Sequence, residues 1–462
     1  MHVVLHFDVN KTVVMDDAAG SKDFIDILNE VLAESCWGRV ALNGRGAPTS
    51  ADPATDPAPP ASSPKRKSSR TESMAKAAEV APVASTWTIL ADCEIQSESP
   101  EPDNPAVMNY SDYVHKILYP MSEIRKDDAS PQDFEAQLAD TKATKLKRAE
   151  LITRFTQRGQ PGHALASKIE ELDAALTASA SSSSLSPESD ATAPRRITRK
   201  RAHEPERYVL VPAFLDLLVF LDKHRLFHSQ APAELDAGGN DPRGTTFSIA
   251  FRTFGDDIQR IIQDLNRFCE GRHPMYPQVR LDGSNGSADL RILNNDAVGC
   301  FYRCGPSSDD SYLIQGTIEK PPRMAAGIQH YADNHPGLPV IQGFAAIHAA
   351  IGALVCTHSC IALRDYFEWW SANRESISSG KLLLVGDDLP FESMFFDDNF
   401  RDDEKGHIKN IVDVRDMATE EAVHVSESIN RHVFTVKPFG VITDRRYFIR
   451  RVCQRFDLTN VA

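Results

Sequence analysis

The stretch "LHFDVNKT", residues 5–12, decides how the rest of the chain is read: an apolar run ends in one aspartate, Asp8, and Asn10 and Thr12 follow before the chain turns polar. Taken alone, Asp8 is a strand-end aspartate that makes a turn. A functional reading needs partners, and three later runs supply them. "TTFSIAFRTFGDD" (245–257) reads as a buried strand ending in a turn, with Thr253 near its end. "GKLLLVG" (380–386) carries Lys381, and "SMFFDD" (393–398) closes on Asp397 and Asp398. "KNIVDV" (409–414) and "VRLD" (279–282) are further strand candidates.

Strands of this type alternating with helices make an α/β domain with a parallel sheet, whose strand C-termini gather on one edge where ligands bind. The four sites are chemically complementary. Asp8 is a carboxylate nucleophile, Thr253 a hydroxyl able to hydrogen-bond a phosphoryl oxygen, and Lys381 a cation to balance its charge. Asp397 or Asp398, facing Asp8, would hold Mg2+, which takes carboxylates, waters and substrate phosphate. This is equipment for phosphoryl transfer.

The ordered set resembles the haloacid dehalogenase (HAD) superfamily, whose first motif is a strand followed by D-x-D-x-T or a variant. "FDVNKT" matches at Asp8 and Thr12, "SIAFRTFG" looks like the second motif with Thr253, "GKLLLVG" the third with Lys381, and "MFFDDN" the acidic fourth. The resemblance implies a Rossmann-like core, Mg2+ as cofactor, and a helical squiggle and hairpin flap at "VVMDDAAGSKD" (13–23). It covers about the first forty residues and most of 208–416. Asn10 stands where phosphatases of the superfamily have their general acid/base aspartate. An amide cannot do that work, although its backbone carbonyl is still available to the metal. The resemblance therefore implies an Mg2+-dependent phosphohydrolase acting on a small phosphorylated molecule or a phosphoprotein, or a silent scaffold binding such a ligand or a protein partner. Two alternatives stay open: Lys320 in "IEKPPR" as the lysine, and Asp387 in "LLLVGDD" as the fourth-motif acid. Lys381 with Asp397/Asp398 is preferred because "SMFFDDN" puts the acids directly after a strand core.

Two stretches without aromatic residues, 44–85 and 178–205, are so rich in Ala, Pro, Ser and Thr that they cannot bury enough apolar surface to order, and are expected to be disordered insertions. Between them, 86–177 is expected to be a helical cap or insertion module, a hairpin starting at Ser130-Pro131 and turning at "GQPG" (159–162). Residues 1–43 and 206–462 then form the core, with a further elaboration at about 256–375. There "HAAIGALVCTHSCIALRDYFEWWSAN" (348–373) has helical period, as does the C-terminal "TDRRYFIRRVCQRFD". The helix "YVLVPAFLDLLVFLDKHRLF" (208–227) leads into the strand of Thr253.

The chain has 462 residues, 41% hydrophobic and 25% charged, with a formal charge of −14. Acid excess argues against general nucleic-acid binding, which needs clustered cations. The basic clusters "PKRKSSR" (64–70) and "PRRITRKR" (194–201) are read as import or docking segments rather than DNA-binding elements. No run reaches the roughly 20 apolar residues of a membrane span, and no secretory leader is evident. A cytoplasmic or nuclear location follows, with protein partners engaged through the insertions. Eight scattered cysteines do not make a disulfide scaffold. Cys300/Cys304 and Cys356/Cys360 are four-apart pairs that lack the turn-bounded knuckles of a zinc site, and the second pair, in an apolar helical stretch, reads as small buried hydrophobes. Trp369 and Trp370 read as packing, and Asp402/Asp403 as a solvated loop.

Overall fold

The computed structural model describes residues 1–16, 22–42, 85–91, 95–120, 131–177, 209–228, 244–321, 324–387, 389–400 and 411–458. The two expected insertions (Ser85 apart), both basic clusters, Ser130, residues 17–21 of the expected flap, and Asp402/Asp403 lie outside these residues. In chain order the strands are β1 (His2–Asp8), β2 (Trp37–Leu42), β3 (Ser85–Ile89), β4 (Val107–Asn109), β5 (Thr246–Thr253), β6 (Val298–Arg303), β7 (Ser311–Gln315), β8 (Val340–Gln342), β9 (Cys360–Arg364), β10 (Lys381–Val385), β11 (Glu392–Asp397), β12 (Val412–Asp416) and β13 (Val433–Thr435). The chain divides into two compact units, Met1–Val31 with Ser167–Ala462, and Leu32–Ala166.

In the first unit an eight-stranded sheet runs β13-β11-β1-β5-β9-β6-β7-β8. From β13 to β6 all pairings are parallel, and β7 and β8 close the far edge antiparallel. The protein is thus mixed α/β with a largely parallel central sheet. Strand β1 is central and buried on both faces, which is why "VVLHF" reads as a nearly unbroken apolar run. Successive side chains of a strand point to opposite faces. On one face Phe7 meets Phe214 of the helix Pro212–Lys223 and Phe448 of the helix Tyr447–Arg455, with Phe396 stacked beside it at 4.8 Å. That first helix starts on Pro212 at N1 and buries Phe214, Leu215, Leu217, Leu218 and Leu221. His6 and Asp8 point to the other face, and His6 stacks on Phe395 of β11.

This second face is covered by strands rather than by a helix alone. β10 and β12 form a separate two-stranded parallel sheet, and Leu383, Val385, Val412 and Val414 share an apolar cluster with Phe395.

Two expectations for this unit are corrected. "VRLD" is no strand; only an isolated bridge joins Asp282 to Asp289. The segment 348–373 is not one helix: helix Phe344–Thr357 gives way to β9 and then to the short helix Phe367–Ala372. A fully buried parallel strand such as "CIALR" carries no period-2 signal, so its apolar run merges with that of the preceding helix.

The second unit carries an antiparallel sheet, β3-β2-β4, in addition to helix. Trp87 of β3 lies so close over Gly38 of β2 that an added Cβ would fall 2.2 Å from the indole, and its Nε1 donates to Met108 O at 3.0 Å. Of the two helices expected as a hairpin, Pro131–Thr153 belongs to this unit, whereas Ala166–Thr177 falls almost wholly in the first. The module is therefore mixed, and the unit boundary falls inside the helix Phe24–Ser35, because "WGRVAL" pairs with β3 and β4.

Candidate active site at the switch point of the sheet

From β1 the chain moves to β5 and β9 on one side, and later to β11 and β13 on the other. The crevice between β1 and β11 is therefore a topological switch point, the place where open parallel sheets bind ligands outside their strand C-termini. Asp8 ends β1 and Asp397 ends β11.

Lys381 reaches them from β10, and its placement is tightly determined. Its own N–H donates to Ile411 O at 2.7 Å. The carbonyls on either side are held by buried arginines: Arg303 Nη1 donates to Gly380 O at 2.9 Å, and Arg252 Nη1 and Nη2 each donate to Leu382 O at 3.1 Å. Arg303 Nη2 also binds Asp413 at 2.9 Å, while Arg252 grips Asp365 bidentately, Nε to Oδ2 at 2.9 Å and Nη2 to Oδ1 at 2.5 Å. Gly380 is required by space, since a Cβ there would lie 2.2 Å from Ile411 O.

So fixed, Lys381 Nζ pairs with Asp8 Oδ1 and lies 3.1 Å from Asp397 Oδ2. The side chains of Lys381 and Asp397 are 1% and 0% exposed, and that of Asp8 is 10% exposed, which leaves Asp8 as the member of the trio that solvent reaches. Asp397 Oδ1 accepts Asn399 N–H at 2.8 Å, and Asp398 Oδ1 accepts from Asn399 Nδ2 at 3.0 Å.

One ligand oxygen from each of Asp8, Asp397 and Asp398 lies within 4.8 Å of the others. Octahedral Mg2+ with bonds of about 2.1 Å separates its oxygens by about 3.0 to 4.2 Å, so a small contraction would let this all-oxygen set hold the ion. Charge points the same way: the carboxylates of Asp8 and Asp397 share the one ammonium of Lys381 in a buried site, with Asp398 beside them. Burial is the largest influence on Asp8, lifting its carboxyl to about 7 from an ordinary 3.8; Lys381 pulls it down and Asp397 pushes it up. Burial works against the charge on Lys381, but Asp397, Asp8 and Asp365 together outweigh it and hold the ammonium above its usual range.

Asn10 lies in a tight turn after Asp8, in which the N–H groups of Thr12, Val13 and Val14 all reach Val9 O and Lys11 adopts φ 58°. Lys11 anchors the turn to buried Glu30 at 3.1 Å, and Lys22 joins at 2.6 Å. Asn10 Oδ1 and Thr12 Oγ1 are buried with no hydrogen-bond partner among the described residues.

The structure thus brings Asp8, Lys381, Asp397 and Asp398 together. Thr253 ends the neighbouring strand β5, where its hydroxyl accepts Gly255 N–H at 2.9 Å. Lys320 pairs with Glu368 at 2.9 Å, and Asp387 is a surface partner of Arg431 at 3.3 Å. Trp370 stacks on Phe254 at 5.3 Å and packs against the β10–β12 core. Cys300 and Cys360 are buried, Cys304 and Cys356 exposed, and all four are free. Sequence reading missed Arg252, Arg303 and Asp365. Their one signal was an ionisable residue inside each of the strand cores "AFRT" and "CFYR" and directly after "IALR", where a charge is tolerated only with a partner.

Comparison with protein-family profiles, curated proteins and solved structures gave no match. No helix among the described residues is long and apolar enough to cross a membrane.

Proposed function

We propose that this chain is an Mg2+-dependent phosphohydrolase of the HAD type, with Asp8 as nucleophile on a small phosphorylated molecule or a phosphoprotein. The observation that carries the reading is Lys381 Nζ held between Asp8 and Asp397 at the switch point, with Asp398 within ligand range. Asp8, Asp397 and Asp398 would hold Mg2+ together with the Asn10 carbonyl, and the ion would neutralise the phosphoryl oxygens. Asp8 attacks phosphorus, the P–O bond to the leaving group breaks, and water then hydrolyses the aspartyl phosphate. Lys381 favours the ionised form of Asp8 against burial and aims it, and Thr253 would orient the phosphoryl group if its hydroxyl turns from Gly255.

Asn10 favours a second reading, a pocket that binds a phosphorylated ligand or partner without turnover. Its amide cannot protonate a leaving group, a loss typically worth about 10²- to 10⁴-fold in rate. Phosphate release from a panel of phosphomonoesters, with Mg2+ and with Asp8→Asn as control, separates the two. Release that vanishes in the control supports the enzyme, slow release confined to good leaving groups places the deficit at Asn10, and no release alongside Asp8-dependent ligand binding supports the binding role.

A further inference from the structure

Far from Asp8 in sequence, the excursion between β7 and β8 gathers a second set of ligand-type side chains. Glu319 lies just past the end of β7, His330 in the helix Gln329–Asn334, and His335 at that helix's C-cap. One ligand atom from each lies within 4.8 Å of the others. His335 Nε2 is 3.1 Å from Glu319 Oε2, yet it is buried and makes no hydrogen bond among the described residues. His330 Nε2 is likewise buried with no hydrogen-bond partner among the described residues.

Two donors that approach closely without pointing at each other are what a shared ion requires. Zinc bonds of about 2.1 Å at a tetrahedral angle separate neighbouring ligand atoms by about 3.3 to 3.4 Å, close to the His335–Glu319 spacing. Both arms are anchored from the core. Ile318 O accepts Arg364 Nη1 at 3.0 Å, Lys320 pairs with Glu368 at 2.9 Å, and Tyr331, fully buried, reaches Cys300 Sγ through its hydroxyl at 3.2 Å. His330 Nδ1 faces Asn334 Nδ2 at 3.1 Å, so Nε2 is the nitrogen left for a metal. Loading it puts the ring proton on Nδ1, and the exposed Asn334 amide must turn to accept it.

We propose that Glu319, His330 and His335 form a zinc-type site with two imidazoles, one carboxylate and a fourth position open to water. The ion would tie the segment leaving β7 to the helix that leads to β8. This assignment is independent of the function proposed for Asp8.

The test is Co2+ titration of the full-length, chelator-stripped protein, read by visible absorption. The intense bands of a tetrahedral ion should saturate at one equivalent, be lost on displacement by Zn2+, and be unaffected by Asp8→Asn, since Co2+ on the all-oxygen acid cluster would be octahedral and weakly absorbing. His330→Ala and His335→Ala should each weaken binding by more than the ~10- to 100-fold typical of removing an outer-shell partner, with far-ultraviolet circular dichroism unchanged. Glu319→Gln should retain folding and lose affinity in the same direction. Absence of tetrahedral absorption in the wild type, retention of full affinity in both histidine variants, or a sulfur-to-cobalt charge-transfer band would overturn the assignment.

Discussion

Two buried ion clusters sit side by side on one face of the sheet, and Asp8 and Arg252 are cross-strand partners in the β1–β5 register. Around Arg252 the charges balance and the valences are filled: the guanidinium has Asp365 on one edge, Leu382 O on the other, and the ring of Phe301 at 4.4 Å. Around Lys381 two carboxylates, Asp8 and Asp397, share one ammonium, with Asp398 alongside. Both clusters are buried, so burial alone does not separate the structural pair from the candidate site. Charge imbalance does, because excess buried carboxylate is tolerated only with protons or a cation. The balanced cluster also serves the unbalanced one, since Arg252 helps hold the strand that aims Lys381.

The largest expected effect tests the balanced side. Arg252→Met leaves Asp365 buried and unpaired and should cost about 3–5 kcal/mol in denaturant unfolding, with no rescue by Mg2+. A loss below about 1 kcal/mol would mean that the pair is not what secures β10. Gly380→Ala drives a methyl onto Ile411 O and should cost about 1–3 kcal/mol. It should also weaken Mg2+ binding, because Lys381 shifts with its strand; intact metal affinity would uncouple the two clusters.

A smaller effect tests the unbalanced side by pH. With its folded pKa raised, Asp8 binds more protons in the folded than in the unfolded chain, so metal-free stability should fall as pH rises from about 4 to 7, by an amount on the order of 1 kcal/mol or more. Asp8→Asn should flatten that slope. Mg2+ should reverse it, since the ion binds the ionised acid and affinity then grows with pH; a wild type and variant with the same slope would remove Asp8 from the account. The smallest effect is at Glu30. Burial pushes its carboxyl up, but Lys11 and Lys22 outweigh burial and hold it below its usual value. Its contribution is present above the unfolded pKa of about 4.5 and lost as pH falls through the folded one, so Glu30→Gln should cost about 1 kcal/mol or less at pH 7 and progressively less as pH falls through the acid range.

Much of the site was legible because "LHFD", "SMFFDD" and "GKLLLV" each combine an apolar run with an ionisable residue at one end. What the sequence withheld was neighbourhood. Nothing in "FRTF" says that Arg252 lies across from Asp8, because register is set by pairing and not by the strand's own residues. Strand β9 was hidden in an apolar stretch that begins as a helix, and β6 and β7 lay in a segment read only as an elaboration. The Glu319–His330–His335 group was invisible for a similar reason. His330 and His335 are five apart, outside the usual same-face spacing, and Glu319 joins them through the fold.

The central claim is that the acid-rich cluster binds a cation and a phosphoryl group through Asp8. Its most direct test is the melting temperature with Mg2+ and beryllofluoride, an aspartyl-phosphate mimic, in the wild type and in Asp8→Asn. The account predicts a rise of several degrees in the wild type that needs both components and is lost in the variant. Equal shifts in the two proteins, or none in the wild type, would contradict it.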